Sequence, residues 1–360
     1  MEIGFFTMPL HPPGSDITKT FDDDLDQIVS LDKWGYKEAW IGEHFTSEWE
    51  NIPNPDLFIA NLIARTNNIM LGTGVNCLPN HEPFMLAHRI AQLDHMAHGR
   101  FLWGIGAGAY VGDCEVFGYD PSTEENRKMF RDTIDVILKI WQDPDPGVYE
   151  KWNWSFKVPE PLESAGLRLH LKPYQKPHPP IAVGGVSPYS STLALAGERG
   201  WIPMSINVVP TRVLKTHWEA VERGASTTGL TPNRAEWRIC RDVYVAETTE
   251  QAREEALEGV LTRDFQRYFL PLFADRNLTS LAKENPDMPD SDLTAEYLMD
   301  NIWVVGSPDD VADKLRNLHH DVGGFGTLLA MGHEWEPKEK WTNSMIMLVN
   351  EVMPKLADLT

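Results

Sequence analysis

The sequence predicts an α/β fold in which residues 1–360 form a single (β/α)8 TIM barrel. Short apolar strands alternate with amphipathic helices, which is the pattern of a parallel sheet covered by helices. Four such strand–helix units occur before residue 143, and this spacing extrapolates to about eight units in the whole chain. The length does not require two domains, because α/β barrels routinely exceed the usual domain size.

The helices of the first half carry start or stop signals beside their strands. Gly35 ends the first predicted helix, and Asn54-Pro55 opens the second with a cap residue followed by a first-turn proline. Ser122 and Glu125 form a capping box that opens the helix after the fourth strand. The four predicted strands are residues 3–8, 39–42, 69–75 and 101–105.

The second half is less regular, with strands predicted at residues 181–184, 202–206, 238–246 and 326–330. Two segments interrupt the repeat. Residues 143–179 are rich in proline, tryptophan and charge, and form an excursion after strand 4. Residues 262–300, aromatic first and then polar and proline-rich, predict a partly helical insertion after strand 7 and a candidate active-site lid.

A doubly wound dinucleotide-binding sheet is the competing architecture. The run GIGAGA at 104–109 satisfies the glycine fingerprint of that fold, but the motif is weak alone. It requires a helix to open at once, whereas these glycines continue into residues 110–113 and the capped helix begins only near Ser122. The run also follows the fourth strand rather than the first, so the barrel is preferred.

Composition limits the partners and the compartment. The formal net charge is −21 without a basic patch, which argues against nucleic acid. No apolar run approaches the ~18 residues of a membrane span, and the start of the chain runs into a strand without a signal peptide. Cys77, Cys114 and Cys240 lie far apart, which suggests free thiols in a reducing, cytoplasmic compartment.

Barrel enzymes carry their chemistry just after the strands, at the carboxyl ends. His44 is the histidine that directly follows a strand, and it could act there as a base or hydrogen-bond donor, or could simply bond a neighbouring loop. Without an HxH pair or an HExxH helix, no catalytic metal is expected. The other side chains in such positions are Glu43, Asn76, His81, Tyr110 and Asp113.

The segment GGVSPYSS at 184–191 has the composition of a phosphate-binding turn. Its small residues let a ligand approach the backbone, and the free N–H groups of a helix that begins among the serines favour an anion. An ordinary turn with serine caps explains the same residues equally well.

These segments together resemble the bacterial luciferase-like flavin monooxygenases over nearly the whole chain, and most closely their limonene monooxygenase-like branch. The resemblance to the family rests on GFFTMP (4–9), EAWIGEH (38–44), LPNHEP (78–83), LDHMAHGRF (93–101) and GIGAG (104–108). The likeness to the limonene branch rests on HPPG (11–14), KPYQKPHPPI (172–181) and FGTLL (325–329).

The resemblance implies a two-component monooxygenase. A separate NAD(P)H-dependent flavin reductase would supply reduced FMN, which would react with oxygen through a C4a-(hydro)peroxyflavin and oxygenate a small apolar substrate such as a terpene, ketone or hydrocarbon. His44 matches the family's active-site histidine. The positions matched to flavin or phosphate contacts are Asn76, Gly106, Tyr110, Asp113, Gly185, Ser187, Tyr189 and Ser190.

The resemblance also implies a non-proline cis peptide at Gly74-Val75 and a homodimer formed through the helix at 83–98. Two positions depart from the family. Gly106 and Ala107 replace a reactive cysteine and an arginine, so backbone N–H groups or an unidentified basic residue must meet the phosphate charge, and Glu82 replaces a histidine. The alternatives are an F420-dependent oxidoreductase with the same barrel and a non-catalytic flavin-binding partner subunit.

Overall fold

Eight parallel strands close into a barrel in the computed structural model, which describes residues 1–8 and 10–359. Strands 3 and 4 pair with each other and close the sheet, whose order around the barrel is 3-2-1-8-7-6-5-4. The predicted barrel is therefore confirmed. The strands are β1 (Glu2–Thr7), β2 (Glu38–Ile41), β3 (Met70–Thr73), β4 (Phe101–Gly106), β5 (Ile181–Gly185), β6 (Ile202–Ser205), β7 (Arg238–Arg241) and β8 (Thr327–Met331).

Helices surround the barrel, and several begin or end at the residues that the sequence indicates. Gly35 takes a left-handed φ of 94° and ends α1, and the Ser307 side chain caps the first turn of α12. The helices are α1 (Ile17–Trp34), α2 (Pro55–Ile63), α3 (Pro83–Met96), α4 (Val111–Phe117), α5 (Glu124–Ile140), α6 (Ser191–Arg199), α7 (Thr211–Ser226), α8 (Thr249–Glu258), α9 (Val260–Asp264), α10 (Leu270–Asp275), α11 (Ala295–Asn301), α12 (Pro308–Val322) and α13 (Lys338–Met347).

The barrel interior is filled by side chains, as a closed eight-stranded barrel requires. The Trp40 ring is fully buried and lies across the inner face of β3, where a side chain at Gly72 would start only 2.5 Å from it. The Trp40 indole N–H donates to Glu38, which also pairs with Arg238 at 3.2 Å. Large side chains therefore pack against glycines and close the barrel interior.

Two predicted strands are shorter than expected. β3 ends at Thr73, and the next peptide, Gly74-Val75, is cis, as the family resemblance implies. β7 ends at Arg241, because the chain turns away from the barrel and residues Val243–Val245 pair with Val304–Gly306 instead. The single strand predicted over 238–246 is therefore wrong in its second half.

The connection after β4 also differs from the prediction. Thr123, rather than Ser122, caps α5, since its side chain accepts from Asn126 N at 3.2 Å. Ser122 instead donates through its N–H and hydroxyl to Asp120, which closes a local turn. The short helix α4 lies between the glycine run and α5 and was not predicted.

The two irregular segments contain secondary structure of their own. An antiparallel hairpin of Gly147–Lys151 and Trp154–Val158 lies within 143–179. Between 262 and 300 the chain forms part of α9, a π-helical turn at Phe265–Phe269, then α10 and α11. Within the described residues, no helix combines the length and the apolar character needed to cross a bilayer.

A buried charge network fastens α9 to the ends of β7 and β8. Arg263 contacts Glu334 at 2.6 Å, and its neighbour Asp264 accepts from His333 at 2.8 Å. His333 also contacts Asp242 at 2.9 Å through its other ring nitrogen. Burial would lower the pKa of His333, but the two carboxylates outweigh it and raise the pKa to about 9. The imidazolium therefore holds the insertion on the barrel.

Candidate active site

The loop after β2 carries Glu43 and His44 into two separate clusters at the upper end of the barrel. Glu43 accepts from Asn76 at 3.0 Å and from His81 at 2.8 Å. Asn76 in turn accepts from the Trp103 indole at 3.1 Å and is fully buried. This cluster fixes the end of β3 against β4, and the Asn76 side chain supports the floor of the site from within.

His44 lies in the second cluster and faces a carboxylate on each side. Its Nδ1 contacts Asp113 at 3.1 Å, and its Nε2 lies 3.2 Å from Glu50. The Tyr110 ring packs edge-on against the imidazole, with the centroids 5.1 Å apart. The His44 side chain is 18% exposed, so it is accessible from the mouth, whereas both carboxylates are buried.

Asp113 holds the loop that carries His44. One oxygen accepts from the backbone N–H groups of Phe45 and Thr46, at 3.0 and 2.9 Å, and from the Thr46 hydroxyl at 2.7 Å. The other oxygen faces His44. Because both oxygens are engaged, this geometry gives Asp113 a positioning role, and its expected contact with a flavin stays a prediction.

The charge on His44 is set by its neighbours. Burial alone would lower its pKa, but the negative charges of Glu50, Asp113 and Glu43 outweigh that effect, so the pKa of His44 is raised. Burial raises the pKa of Glu50 despite the nearby His44. The cluster therefore contains an imidazole that holds its proton firmly beside a carboxylate that is costly to ionise.

Glu50 and Tyr268 complete this cluster, and sequence reasoning missed both. Tyr268 belongs to the insertion after β7, and its hydroxyl donates to Glu50. Its ring stacks on Trp49 with the centroids 5.6 Å apart. Neither residue directly follows a barrel strand, so the rule that located His44 could not find them. The aromatic opening of the insertion was the only signal for Tyr268, and Glu50 had none.

Glycines shape the floor between β4 and β5. A side chain at Gly106 would start 2.5 Å from the Val75 side chain, so Val75 fills the space that a larger residue at this position would need. At Gly184, by contrast, a Cβ would meet only ordinary contacts with Val75 and Ile206, at 3.6 and 3.7 Å. The floor between these two strands is therefore apolar.

The turn after β5 has the features of the predicted phosphate site. The Ser190 side chain caps α6, and Tyr189 takes a left-handed φ of 52°. Gly185 allows the helix to approach the strand end, since a Cβ there would start 2.5 Å from Leu193. The first N–H groups of α6 lack intrahelical partners, as in every helix. The turn, including Ser187, can therefore present N–H donors to an anion.

The structure brings His44, which follows β2, together with Tyr110 and Asp113, which follow β4. The turn at 185–190 follows β5, at the same end of the barrel. His81 is in the Glu43 cluster rather than beside His44. Glu82, the other departure from the family, caps α3 by accepting from Met85 N at 2.7 Å. In the described part of the chain, no group of three His, Cys, Asp or Glu side chains is arranged to hold a metal.

Comparison with known proteins agrees with this geometry. Residues 1–324 match the family model for luciferase-like monooxygenases. The chain belongs to this family. A relative in it, 3,6-diketocamphane 1,6-monooxygenase of Pseudomonas putida, is 32% identical over 99% of this chain and 98% of its own length. Limonene 1,2-monooxygenase of Rhodococcus erythropolis is 30% identical over 98% of this chain and 86% of its own length.

A solved structure extends the comparison. The oxygenating constituent of 3,6-diketocamphane monooxygenase from Pseudomonas putida, a type II Baeyer–Villiger monooxygenase in complex with FMN, matches with a TM-score of 0.90. The match has 33% identity and covers 99% of both chains. The luciferase-like monooxygenase described here is thus an enzyme, with the fold of an FMN-dependent oxygenase along its whole length.

Proposed function

We propose that this luciferase-like monooxygenase uses reduced FMN, delivered by a separate flavin reductase, and oxygen to oxygenate a small apolar organic substrate. The observation that carries the proposal is the full-length likeness to an oxygenating constituent whose structure contains FMN. Relatives named for diketocamphane and limonene support a compact, mainly hydrocarbon substrate. The flavin, when bound, supplies the activation of oxygen at its C4a atom.

The residues present fit such a cofactor. Gly184 and the apolar Val75 present a surface without polar side chains, which suits a flat ring system, and the donors of the turn at Gly185–Ser190 suit its phosphate. Tyr110 lies beside His44 at the rim, where it would border the flavin ring. Asn76 would support the ring through the backbone at the end of β3, next to Gly106 on β4.

His44 is the proposed catalytic residue, and its Nε2 is the atom that would hold or move a proton. Asp113 fixes the ring through Nδ1. On the other side, Glu50 Oε2 lies 3.2 Å from Nε2 but has no hydrogen-bond partner among the described residues. The Nε2 proton is therefore not committed to Glu50 and can be donated to an oxygen atom held above the floor.

Residues 262–300 are proposed to act as a lid over this mouth. Tyr268 reaches Glu50 from the insertion, and Arg263 anchors α9 to Glu334. A covered mouth would exclude water, which would otherwise release activated oxygen without product.

We also propose a homodimer formed through α3. Met85 and Met96 lie on this helix and are 57% and 42% exposed, so α3 presents apolar side chains that a second copy could cover. Light scattering at micromolar concentration should give twice the chain mass of 40.8 kDa. A mass of one chain would contradict this part of the proposal.

Stopped-flow absorbance tests the main proposal. Anaerobic protein with reduced FMN is mixed with oxygenated buffer, and we expect a flavin species that differs from both reduced and oxidised FMN and outlives any such species in free solution. His44→Ala should shorten its lifetime ~100-fold or more, the usual scale of a proton-transferring side chain. His320→Ala, at an exposed position on α12, is the control. Oxidation to FMN at the rate of free flavin would contradict the proposal.

A further inference from the structure

Helix α7 contacts the turn after β5 from behind, through three side chains. The His217 Nε2 lies 3.3 Å from the carbonyl oxygen of Val186 and 3.2 Å from that of Ser187. Thr216 Oγ1 accepts from the N–H of Tyr189 at 3.1 Å, and Arg223 donates to the Tyr189 carbonyl at 3.3 Å. Helix α7 therefore fixes the backbone of the turn, although none of these three residues directly follows a barrel strand.

The tautomer of His217 follows from its hydrogen-bond chain. The Trp237 indole N–H is a donor only, and it reaches Ser205 Oγ at 2.9 Å. The carbonyl oxygens of Val186 and Ser187 can only accept, so the Nε2 that faces them carries the ring proton. In the neutral ring Nδ1 then accepts from the Ser205 hydroxyl, at 2.9 Å, while Ser205 Oγ accepts from Trp237.

The direction of these bonds matters for an anion. The C=O and N–H of a trans peptide point in opposite directions, so binding the Val186 carbonyl to His217 turns the N–H of Ser187 away from α7. Binding the Ser187 carbonyl removes a second oxygen that would repel a phosphate. The left-handed φ of 52° at Tyr189 is an uncommon backbone conformation, and Thr216 and Arg223 hold both of that residue's backbone polar groups.

We propose that His217 is a positioning residue for the flavin phosphate: held through Nδ1 by Ser205, its Nε2–H keeps the carbonyls of Val186 and Ser187 on the far side of the turn and leaves the N–H donors for the phosphate. Thr216 assists at Tyr189. This inference rests on the proposed use of FMN. It gives the protein a means to recognise a phosphate without the arginine that Ala107 replaces.

The test compares reduced FMN with reduced riboflavin, which lacks the phosphate, by anaerobic ultrafiltration with the full chain. We expect wild type to prefer FMN. His217→Leu should weaken FMN binding about tenfold, on the scale of one or two lost hydrogen bonds, and leave riboflavin binding unchanged. His217→Gln, whose amide can reach the same carbonyls, should restore most of the preference. His319→Leu on α12 is the matched control.

Thr216→Val covers the case in which His217→Leu does not fold. It removes the acceptor for Tyr189 N, together with the hydroxyl's bond to the Val213 carbonyl within α7, and keeps the side-chain shape. We expect a smaller loss, again confined to FMN. Equal weakening of both flavins, or no change in either, would overturn the inference and leave His217 with a purely structural role. If the wild type binds both flavins equally, the turn after β5 does not recognise the phosphate. That result would also contradict the use of FMN in the proposed function.

Discussion

The loop after β2 and the turn after β5 each depend on one buried histidine, and the two histidines are tuned in opposite directions. His44 lies between Glu50 and Asp113, and its pKa is raised. Burial lowers the pKa of His217 to about 4, since its hydrogen-bond partners are uncharged oxygens and the cation Arg241 lowers the pKa further. Burial is common to both, so the neighbouring carboxylates decide which histidine carries a proton at neutral pH.

This difference suits the two tasks. A residue that gives up a proton must hold one first, and the carboxylates around His44 ensure that it does. His217 presents its Nε2–H to two carbonyl oxygens, and only a neutral ring can also accept through Nδ1 from the Ser205 hydroxyl. A charged imidazole at His217 would lose its acceptor role towards Ser205.

The largest expected effect is on acid stability. The folded-state pKa of His217, about 4, lies below the unfolded value of ~6.5, so between these pH values the unfolded chain binds more protons. The contribution of neutral His217 to the free energy of unfolding is complete above pH ~6.5 and is lost as the pH falls. At pH 4 the loss is about 3 kcal/mol. Urea unfolding of wild type and His217→Gln should show this slope in wild type alone.

The exposed His320 offers the matched control, since it is 89% exposed and His320→Gln should leave the pH dependence of wild type intact. Parallel stability curves for wild type and His217→Gln, from pH 7 to pH 4.5, would contradict the neutral state assigned to His217.

The next effect concerns Asp113→Asn. The amide would replace a charged acceptor that receives three hydrogen bonds from the loop at 45–46, and we expect the free energy of unfolding to fall by about 2 kcal/mol. The pKa of His44 should fall as well, because one of its negative neighbours is gone. Glu115→Gln, on the exposed face of α4, removes the same charge without these contacts. Equal unfolding free energies for the two variants would contradict the positioning role.

The sequence located the strands and His44 because both depend on local signals. Apolar runs bounded by glycine and proline mark the strands, and His44 directly follows one of them. Ser122 was wrongly assigned as a cap because Asp120 competes for it, a local contact that spacing alone does not reveal. The split of β7 depends on pairing with residues 304–306, which lie far along the chain.

The residues that tune the two histidines could not be found in the same way. Glu50 and Tyr268 are 218 positions apart and meet only because the insertion folds back over the mouth. His217 lies on the buried face of α7, where a histidine at helical spacing resembles an ordinary core position. The sequence therefore indicates a candidate such as His44, which directly follows a strand. It does not indicate Glu50 and Tyr268, which meet near His44 only in the folded chain.

Glu50→Gln tests that conclusion with the smallest cost in stability. The amide oxygen can still accept from Tyr268, so the free energy of unfolding should change by less than about 1 kcal/mol. The pKa of His44 should nevertheless fall, because the negative charge of Glu50 is among the influences that raise it. Titration of isotope-labelled histidine by NMR measures this directly, with the exposed Glu48→Gln as a charge-matched control. An unchanged His44 titration in Glu50→Gln would mean that the contact between the insertion and the mouth loop has no part in setting the charge of His44.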